Sequence, residues 1–310
     1  MDTKCDWAEN WPVKPMEPVS CDKPFDSSDT LFQIKWDGVR VLAYIYPDKS
    51  VRLYNRRLNE RTAQYPELVS ALSGLDGCTV LDGEIIAPGK DGKPDFPRVL
   101  KRDLCRSPRK ISAAAAVISV NYMVFDLLWH NGKPIFSLPL AERLTLLNNI
   151  PFNKGIIQLV ESVPESGKAL FNIAKSEGLE GIVSKKIRSG YHIGKKSDAW
   201  LKIKCHRELT AVIGGYLTDN GRPRSLLLGL PFENELLFIG AAASGITQAQ
   251  WRMLKQLFAD TGGPCPFRAL PDIKGARWVK PLLGVNVRFL EYSSGGVMRS
   301  PSITGFTEVV

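Results

Sequence analysis

Between residues 31 and 54 apolar and polar side chains alternate in short runs. They read Leu31-Phe32-Gln33-Ile34-Lys35-Trp36, Arg40-Val41-Leu42-Ala43-Tyr44-Ile45-Tyr46 and Ser50-Val51-Arg52-Leu53-Tyr54, with breaks at Asp37-Gly38 and Pro47-Asp48. A period of two marks half-buried strands and the breaks mark turns, so the stretch predicts an antiparallel meander. Segments 66–75, 139–150 and 164–177 each open with a proline near the first turn, where its missing N–H costs nothing, and predict helices. Apolar runs predict further strands at 79–87, 119–129, 180–185 and 199–204. This order is mixed α+β rather than a regular βαβ series.

Past Lys204 the texture changes. Segments 210–217, 225–230, 236–241 and 279–292 read as strands around one amphipathic helix at 247–260, which suits a small barrel of the OB type. The expected division is residues 1–206 and 207–310, with a hinge at 204–208 and a proline-rich lead-in at 12–24 wrapped onto the first domain.

With 310 residues and 44% hydrophobic side chains the chain is long enough for two packed cores. The acidic start, Met1-Asp2-Thr3-Lys4-Cys5-Asp6, does not suit a secretory signal, and the apolar tract at 111–129 is interrupted by Ser112, Ser119, Asn121 and Asp126, which argues against a membrane span. Six cysteines without a C-x-x-C pair, and three histidines without zinc-ligand spacing, read as reduced thiols in a cytoplasmic protein. Lys and Arg number 41 against 32 Asp and Glu, a net charge of +9 that favours an anionic partner. The charge is concentrated in two runs. One holds Arg98, Lys101, Arg102, Arg106, Arg109 and Lys110; the other extends from Lys185 and Lys186 to Lys202, Lys204 and Arg207. Either run could instead be a solvated face.

The sharpest local pattern is Lys35-Trp36-Asp37-Gly38-Val39-Arg40. By itself it is also compatible with a hairpin lysine beside a type I′ Asp-Gly turn. Four further patterns follow it in order: Leu81-Asp82-Gly83-Glu84, Val124-Phe125-Asp126-Leu127-Leu128, Glu180-Gly181-Ile182-Val183-Ser184-Lys185 and Trp200-Leu201-Lys202-Ile203-Lys204. A free lysine, with a pKa near ~10.4, is almost wholly protonated at neutral pH, so a nucleophilic Lys35 needs nearby cations or partial burial. Lys202 and Lys204, two apart on a strand, share one face and meet that need. Gly190-Tyr191-His192-Ile193-Gly194-Lys195-Lys196 lacks the spacing and the Ser or Thr of a P-loop, and no G-x-G-x-x-G follows a strand.

In sequence and spacing the five patterns resemble the motifs of the covalent nucleotidyltransferase superfamily, and the chain resembles its ATP-dependent DNA ligases, in particular the ligase domain of bacterial end-joining (LigD-type) enzymes. The likeness runs from Pro15-Met16 to Arg299-Ser300-Pro301-Ser302-Ile303-Thr304-Gly305-Phe306. It implies an α+β nucleotidyltransferase (ATP-grasp-like ligase) domain followed by a β-barrel OB-fold domain. It implies that Lys35 attacks the α-phosphorus of ATP to form a lysyl-AMP phosphoramidate, and that the AMP then passes to a 5′-phosphate before a 3′-hydroxyl seals the nick. Arg40 is implied as the ribose and phosphate contact, Glu84 as the ribose hydroxyl acceptor and Phe125 as the ring stacked on adenine. Asp37 and Glu180 are implied to position the nucleophile or Mg²⁺, with Mn²⁺ as the alternative ion. Lys185, Lys202, Lys204 and Arg299 are implied as phosphate ligands, and Arg56 as the grip on the nick's 5′-phosphate. The duplex would lie against basic faces that include Arg98, Lys101 and Arg102.

Gln33 stands where many relatives have a glutamate that accepts from the adenine amino group, a bond that an amide oxygen also makes. The final motif ends in Thr307, Val309 and Val310 where the family continues with charged residues, which implies either slow charging of Lys35 or a truncated version of the chain. The resemblance also implies nicked duplex DNA as substrate, repair by end joining near the nucleoid, and a Ku-like end-binding protein as recruiting partner in place of a clamp domain before Pro12. The rivals are an RNA ligase or capping-type guanylyltransferase, and a noncatalytic DNA-end-binding module.

Overall fold

The computed structural model describes residues 11–75, 78–152, 155–219, 222–259, 261–268, 273–290, 292–293 and 296–308. The chain divides into two compact units, Met1–Cys205 and His206–Val310. In chain order the first unit contains β1 (Glu17–Ser20), β2 (Ser27–Ile34), β3 (Val39–Ile45), β4 (Val51–Asn55), α1 (Pro66–Leu72), β5 (Thr79–Ile86), α2 (Phe96–Asp103) and α3 (Pro108–Val117). It continues with β6 (Asn121–His130), β7 (Lys133–Pro134), α4 (Leu140–Asn148), β8 (Ile157–Leu159), β9 (Val163–Glu165), α5 (Gly167–Ser176), β10 (Gly181–Lys186) and β11 (Lys196–Lys204).

The strands form two sheets, one ordered β1-β11-β10-β2-β9 and the other β4-β3-β5-β6-β7, with β8 beside β6. The expected meander is therefore split. β2 pairs with β9 and β10, while β3 pairs with β4 and β5, so residues 35–38 cross between sheets and do not turn a hairpin. Alternation shows that a strand exists but not which strand it joins. Gly38 is required at the crossing, because a Cβ there would lie 2.2 Å from the Ile85 carbonyl oxygen.

Two helices escaped the periodicity reading. α2 is capped by Asp95, whose side chain accepts from the Arg98 N–H, and α3 by Ser107, which accepts from the Lys110 N–H; each has a proline in its first turn. The helix expected at 164–177 begins instead at Gly167, since Pro164 lies in β9 and Glu165 takes a left-handed φ of 63°. Asp26 then accepts from the Lys168 N–H in the first turn of α5.

β3, β5 and β6 are apolar on both faces. One face packs on α1 and α2 through Val41, Leu53, Leu68 and Val99, while the other meets Trp200, Tyr191 and Met16. The second face also buries charge. Asp126 on β6 and Arg143 on α4 are both fully buried and paired through Nε at 2.8 Å and Nη2 at 2.9 Å. Arg143 Nη1 donates in addition to the Leu138 and Ser189 carbonyls.

The second unit contains β12 (Arg207–Asp219), β13 (Arg222–Phe232), β14 (Glu235–Ala242), α6 (Gln248–Ala259), β15 (Ala276–Trp278), β16 (Leu283–Phe289) and β17 (Ser302–Glu308). Its sheet runs β14-β13-β12-β16-β17 with β15 beside β12, and a bridge from Ser244 to Ser302 joins the two ends. Leu254 and Phe258 of α6 enter the core it encloses. The expected strand at 279–292 is shorter, and β17 was read only as a motif. Joining the ends of the sheet removes exposed edges, as a small barrel requires.

Among the described residues no helix is long and apolar enough to cross a membrane. Cys21, Cys105, Cys205 and Cys265 are free thiols. Cys78 is disulfide-bonded, which departs from the expectation of six reduced cysteines.

Candidate active site

The first unit holds a cavity of about 620 Å³ whose wall includes Gln33, Lys35, Arg40, Glu84, Phe125, Lys185, Lys202 and Lys204. Residues up to 171 positions apart in the sequence thus meet through strand register. Gln33 on β2 pairs with Val183 on β10, and Val183 pairs with Lys202 on β11. One step along, the Lys35 N–H donates to the Gly181 carbonyl at 2.9 Å, and Gly181 pairs with Lys204. Gly181 tolerates no side chain here: its φ is 144°, and a Cβ would lie 2.1 Å from the Ile203 carbonyl oxygen.

Glu180 joins the two ends of that second row. Its Oε2 accepts from Lys35 Nζ at 2.5 Å and its Oε1 lies 2.9 Å from Lys204 Nζ. Burial opposes the charged form of Glu180, but the two ammonium groups outweigh it and hold the carboxyl below its ordinary range. Lys202 is also held below its ordinary range, by partial burial and by the neighbouring charges of Lys204 and Lys35, which here disfavours the charged form. The arrangement brings cations to one wall, a surface suited to phosphate.

Aromatic rings line another part of the cavity. Phe125 and Trp200 meet edge to face at 6.0 Å, and Lys185 Nζ lies 4.4 Å from the first ring centroid and 4.0 Å from the second. Lys185 is 1% exposed and donates to the Phe125 carbonyl at 3.1 Å. Burial lowers its pKa to about 7 against the opposing pull of Asp126 and Asp82. Expected as a phosphate ligand, Lys185 lines the cavity, and its ammonium lies between the two rings. Glu84 is likewise shifted by burial, up to about 8, which Lys35 and Arg40 only partly offset.

These two shifts have opposite consequences for stability. A lysine whose folded pKa is depressed costs stability in full below that pKa, and the cost fades as pH rises from about 7 towards the ordinary lysine value of 10.5. A raised carboxyl acts inversely: the penalty from Glu84 grows as pH rises from 4.5 to about 8. Lys185→Met is therefore expected to raise the urea midpoint, by more at pH 6 than at pH 9. An equal gain at both values would contradict the shift.

Arg40 on β3 faces Glu84 across the β3–β5 ladder. Its guanidinium is gripped by Asp82 through Nε at 3.0 Å and Nη2 at 2.6 Å, and lies 5.3 Å from the Phe125 ring centroid. Burial works against that charge, yet the Asp82 carboxylate prevails and holds Arg40 protonated. The Tyr191 hydroxyl donates to Asp82 Oδ2 at 2.7 Å and accepts from the Met16 N–H at 3.0 Å. Asp82, Tyr191 and Trp200 took no part in the sequence assignment. A carboxylate inside the apolar run 79–86 was the available signal, since a buried charge demands a partner.

Two family models match the chain: "ATP dependent DNA ligase domain" over residues 15–204 and "ATP dependent DNA ligase C terminal region" over residues 219–309. The chain belongs to the ATP-dependent DNA ligases. The SPbeta prophage-derived DNA ligase-like protein LigB of Bacillus subtilis is 36% identical over 204 residues, covering 66% of this chain and 72% of that protein. The multifunctional non-homologous end joining protein LigD of Mycolicibacterium smegmatis is 32% identical over 287 residues, 88% of this chain but 35% of that protein. The ligase thus spans about a third of the multifunctional relative. A solved mycobacterial DNA ligase D complexed with ATP and MES superposes with a TM-score of 0.55 at 28% identity, covering 95% of each chain. A Lig E DNA ligase shares the fold, at a TM-score of 0.62 and 17% identity.

Not every residue expected at the ligase site is found there. Arg102 is a correction: it is 1% exposed, pairs with Glu67, and donates to the Gln64 and Ile118 carbonyls. A guanidinium held this way ties α2 to α1 and is closed to DNA. Helix formation divides the basic run by face, so Lys101 points outward while its neighbour is buried. Arg98 is partly buried, and its Nε is among the buried atoms without a hydrogen-bond partner. Asp37 sits in the crossing segment and is not among the residues lining the cavity. Arg56 lines the cavity, lies 3.7 Å from Glu17 and keeps its side chain 60% exposed. Arg299 lies in the second unit, between β16 and β17. Among the described residues no group of three or more His, Cys, Asp or Glu is placed to hold a metal ion.

Proposed function

We propose that Lys35 is the residue of this ligase that carries AMP, with residues 1–206 as the adenylation domain and 207–310 as the OB-fold domain. The observation that carries this reading is the Lys35–Glu180–Lys204 bridge at 2.5 and 2.9 Å on the cavity wall. Neutral Lys35 Nζ forms a bond to the α-phosphorus of ATP. The α–β bridging P–O bond breaks, its electron pair leaves on pyrophosphate, and one Nζ proton passes to solvent. Lys202 and Lys204 attract the phosphate oxygens, while Arg40 and Glu84 hold the ribose between Gln33 and the Phe125 ring. The activated AMP then moves to the 5′-phosphate at a nick in duplex DNA, and the 3′-hydroxyl displaces it.

Mg²⁺, or Mn²⁺ in its place, would take most of its ligands from the substrate, because both Glu180 oxygens already pair with ammonium groups. Isolated carboxylates hold such an ion together with the substrate's own phosphate oxygens, and Glu180 and Asp37 are the carboxylates proposed to do so. Bound there, the ion would neutralise charge on the transferring phosphate.

Arg56 is the proposed 5′-phosphate contact, with Lys101 and Arg98 of the separate 98–110 basic run as further DNA contacts and Asp37 positioning the reacting groups. Self-adenylation and sealing of a 5′-phosphorylated nicked duplex, measured separately, test the assignment. Arg56→Ala is expected to slow sealing about 10–100-fold, the worth of a charge-assisted hydrogen bond, and to slow self-adenylation far less. Equal losses in both steps would remove Arg56 from the DNA site.

The likeness to LigD supports a role in end-joining repair, with a Ku-like end-binding protein as recruiting partner. Capture of such a protein by the full chain, on duplex ends and in its absence on closed circles, is the expected result. No capture on either would count against that partner.

A further inference from the structure

A buried neutral amide, that of Gln33, stands on the cavity wall, which Asn55 and Asn59 also line. Gln33 is 2% exposed, and its Nε2 donates to Ser162 Oγ at 2.9 Å. The register that pairs Phe32 with Val163 sets Ser162 directly across from Gln33. Lys35 lies two residues further along the chain, so the two side chains share a face about 7 Å apart. The cationic rows suit phosphates, whereas the edge of a purine is uncharged and calls for a neutral donor or acceptor.

An amide offers both, and a carboxylate does not. In the observed orientation Nε2 is bound to Ser162 and Oε1 remains to accept from a 6-amino group. Turned by 180°, the amide presents its NH₂ to a 6-oxo group. Such a turn is costly wherever the outward end has an acceptor-only or donor-only partner, because a buried polar atom is then left unsatisfied. The Ser162 hydroxyl both accepts and donates. It accepts from Nε2 in the observed orientation and donates to Oε1 in the turned one.

We propose that Gln33, hinged on Ser162, admits 6-oxopurine as well as 6-aminopurine nucleoside triphosphates to Lys35, a substrate range that rests on the adenylation reading above. The chemistry is unchanged by the base: the N–P bond forms at Lys35, pyrophosphate leaves with the electron pair, and one proton is released.

Inosine triphosphate is the probe, because it differs from ATP at position 6 without adding a 2-amino group. Covalent labelling of the full chain by each α-labelled nucleotide is expected at initial rates within about tenfold of one another, since one hydrogen bond replaces another. Gln33→Glu is expected to shift the ratio about 10–100-fold towards ATP, because two acceptors then face each other without a proton. Ser162→Ala is expected to slow both nucleotides by a similar factor. Inosine labelling about a thousandfold below ATP in the parent protein would overturn the inference while leaving the adenylation reading in place, and this parent ratio needs no variant to fold. So would a ratio unmoved by Gln33→Glu in a protein that still labels. Label from neither nucleotide would overturn both readings.

Discussion

Lys35→Arg is expected to remain folded and to retain no covalent label from α-labelled ATP, a loss of at least about a thousandfold in self-adenylation. Arginine keeps the positive charge and can keep the ion pair with Glu180, so the wall around it is preserved. What it lacks is a neutral nitrogen, since its pKa above about 12 leaves no free base at any pH the protein survives. Lysine needs only to lose one proton, and the geometry bears on that step. Glu180 is bonded to both Lys35 and Lys204, and Lys202 stands on the same wall with its own pKa lowered by burial and by those neighbours. Phosphate arriving at Lys202 and Lys204 draws those cations to itself and competes with Glu180 for Lys204. Mass spectrometry of the denatured protein separates the outcomes: an adenylyl group on Lys35 in the parent and none on the arginine variant supports the assignment. An adduct on Lys202 or Lys204 in the variant would move the nucleophile to a neighbouring strand.

The chemistry of this site was more legible in the sequence than its architecture. Lys35, Glu84, Glu180, Lys202 and Lys204 sit in short patterns whose residue types announce covalent phosphate chemistry; strand register brings Lys35, Glu84, Lys202 and Lys204 to one cavity, and Glu180 pairs with Lys35 and Lys204 beside it. Sheet membership was not legible, because alternation in β2 and β3 looks the same whether the strands pair or part. What separates them is the contact of Gly38 with Ile85, a residue 47 positions away. α2 and α3 were missed for a different reason. Their N-caps, Asp95 and Ser107 with Pro97 and Pro108, were present, but α3 buries none of its residues and so carries no apolar stripe to detect. Arg102 looked like part of a DNA-facing run because a string of cations does not reveal which member a helix turns inward. Ser162 could not be found by any motif. It matters only because β9 lies beside β2.

Arg143→Met is expected to destabilise the ligase by about 3–5 kcal/mol, measured as the shift in urea unfolding with the slope compared between variants. The cause is not a lost attraction alone. Asp126 and Arg143 are both 0% exposed, so removing the guanidinium strands a carboxylate in the core and leaves the Leu138 and Ser189 carbonyls short of a donor. The double variant Asp126→Leu with Arg143→Met removes both charges, and buried pairs replaced by apolar side chains often cost little. Here the Leu138 carbonyl still loses its donor, at about 1–3 kcal/mol, while the Ser189 carbonyl keeps the Leu140 N–H at 3.0 Å, so the double variant is expected below the parent yet well above the sum of the two single changes. Asp126 also favours the charged form of Lys185 between Phe125 and Trp200 while Arg143 opposes it, so removing both charges acts on that lysine less than removing Asp126 alone. Asp126→Leu by itself strands the Arg143 guanidinium in the core and is therefore expected to cost more stability than the double variant. A double variant no more stable than either single one would mean that the stranded charges do not set the cost.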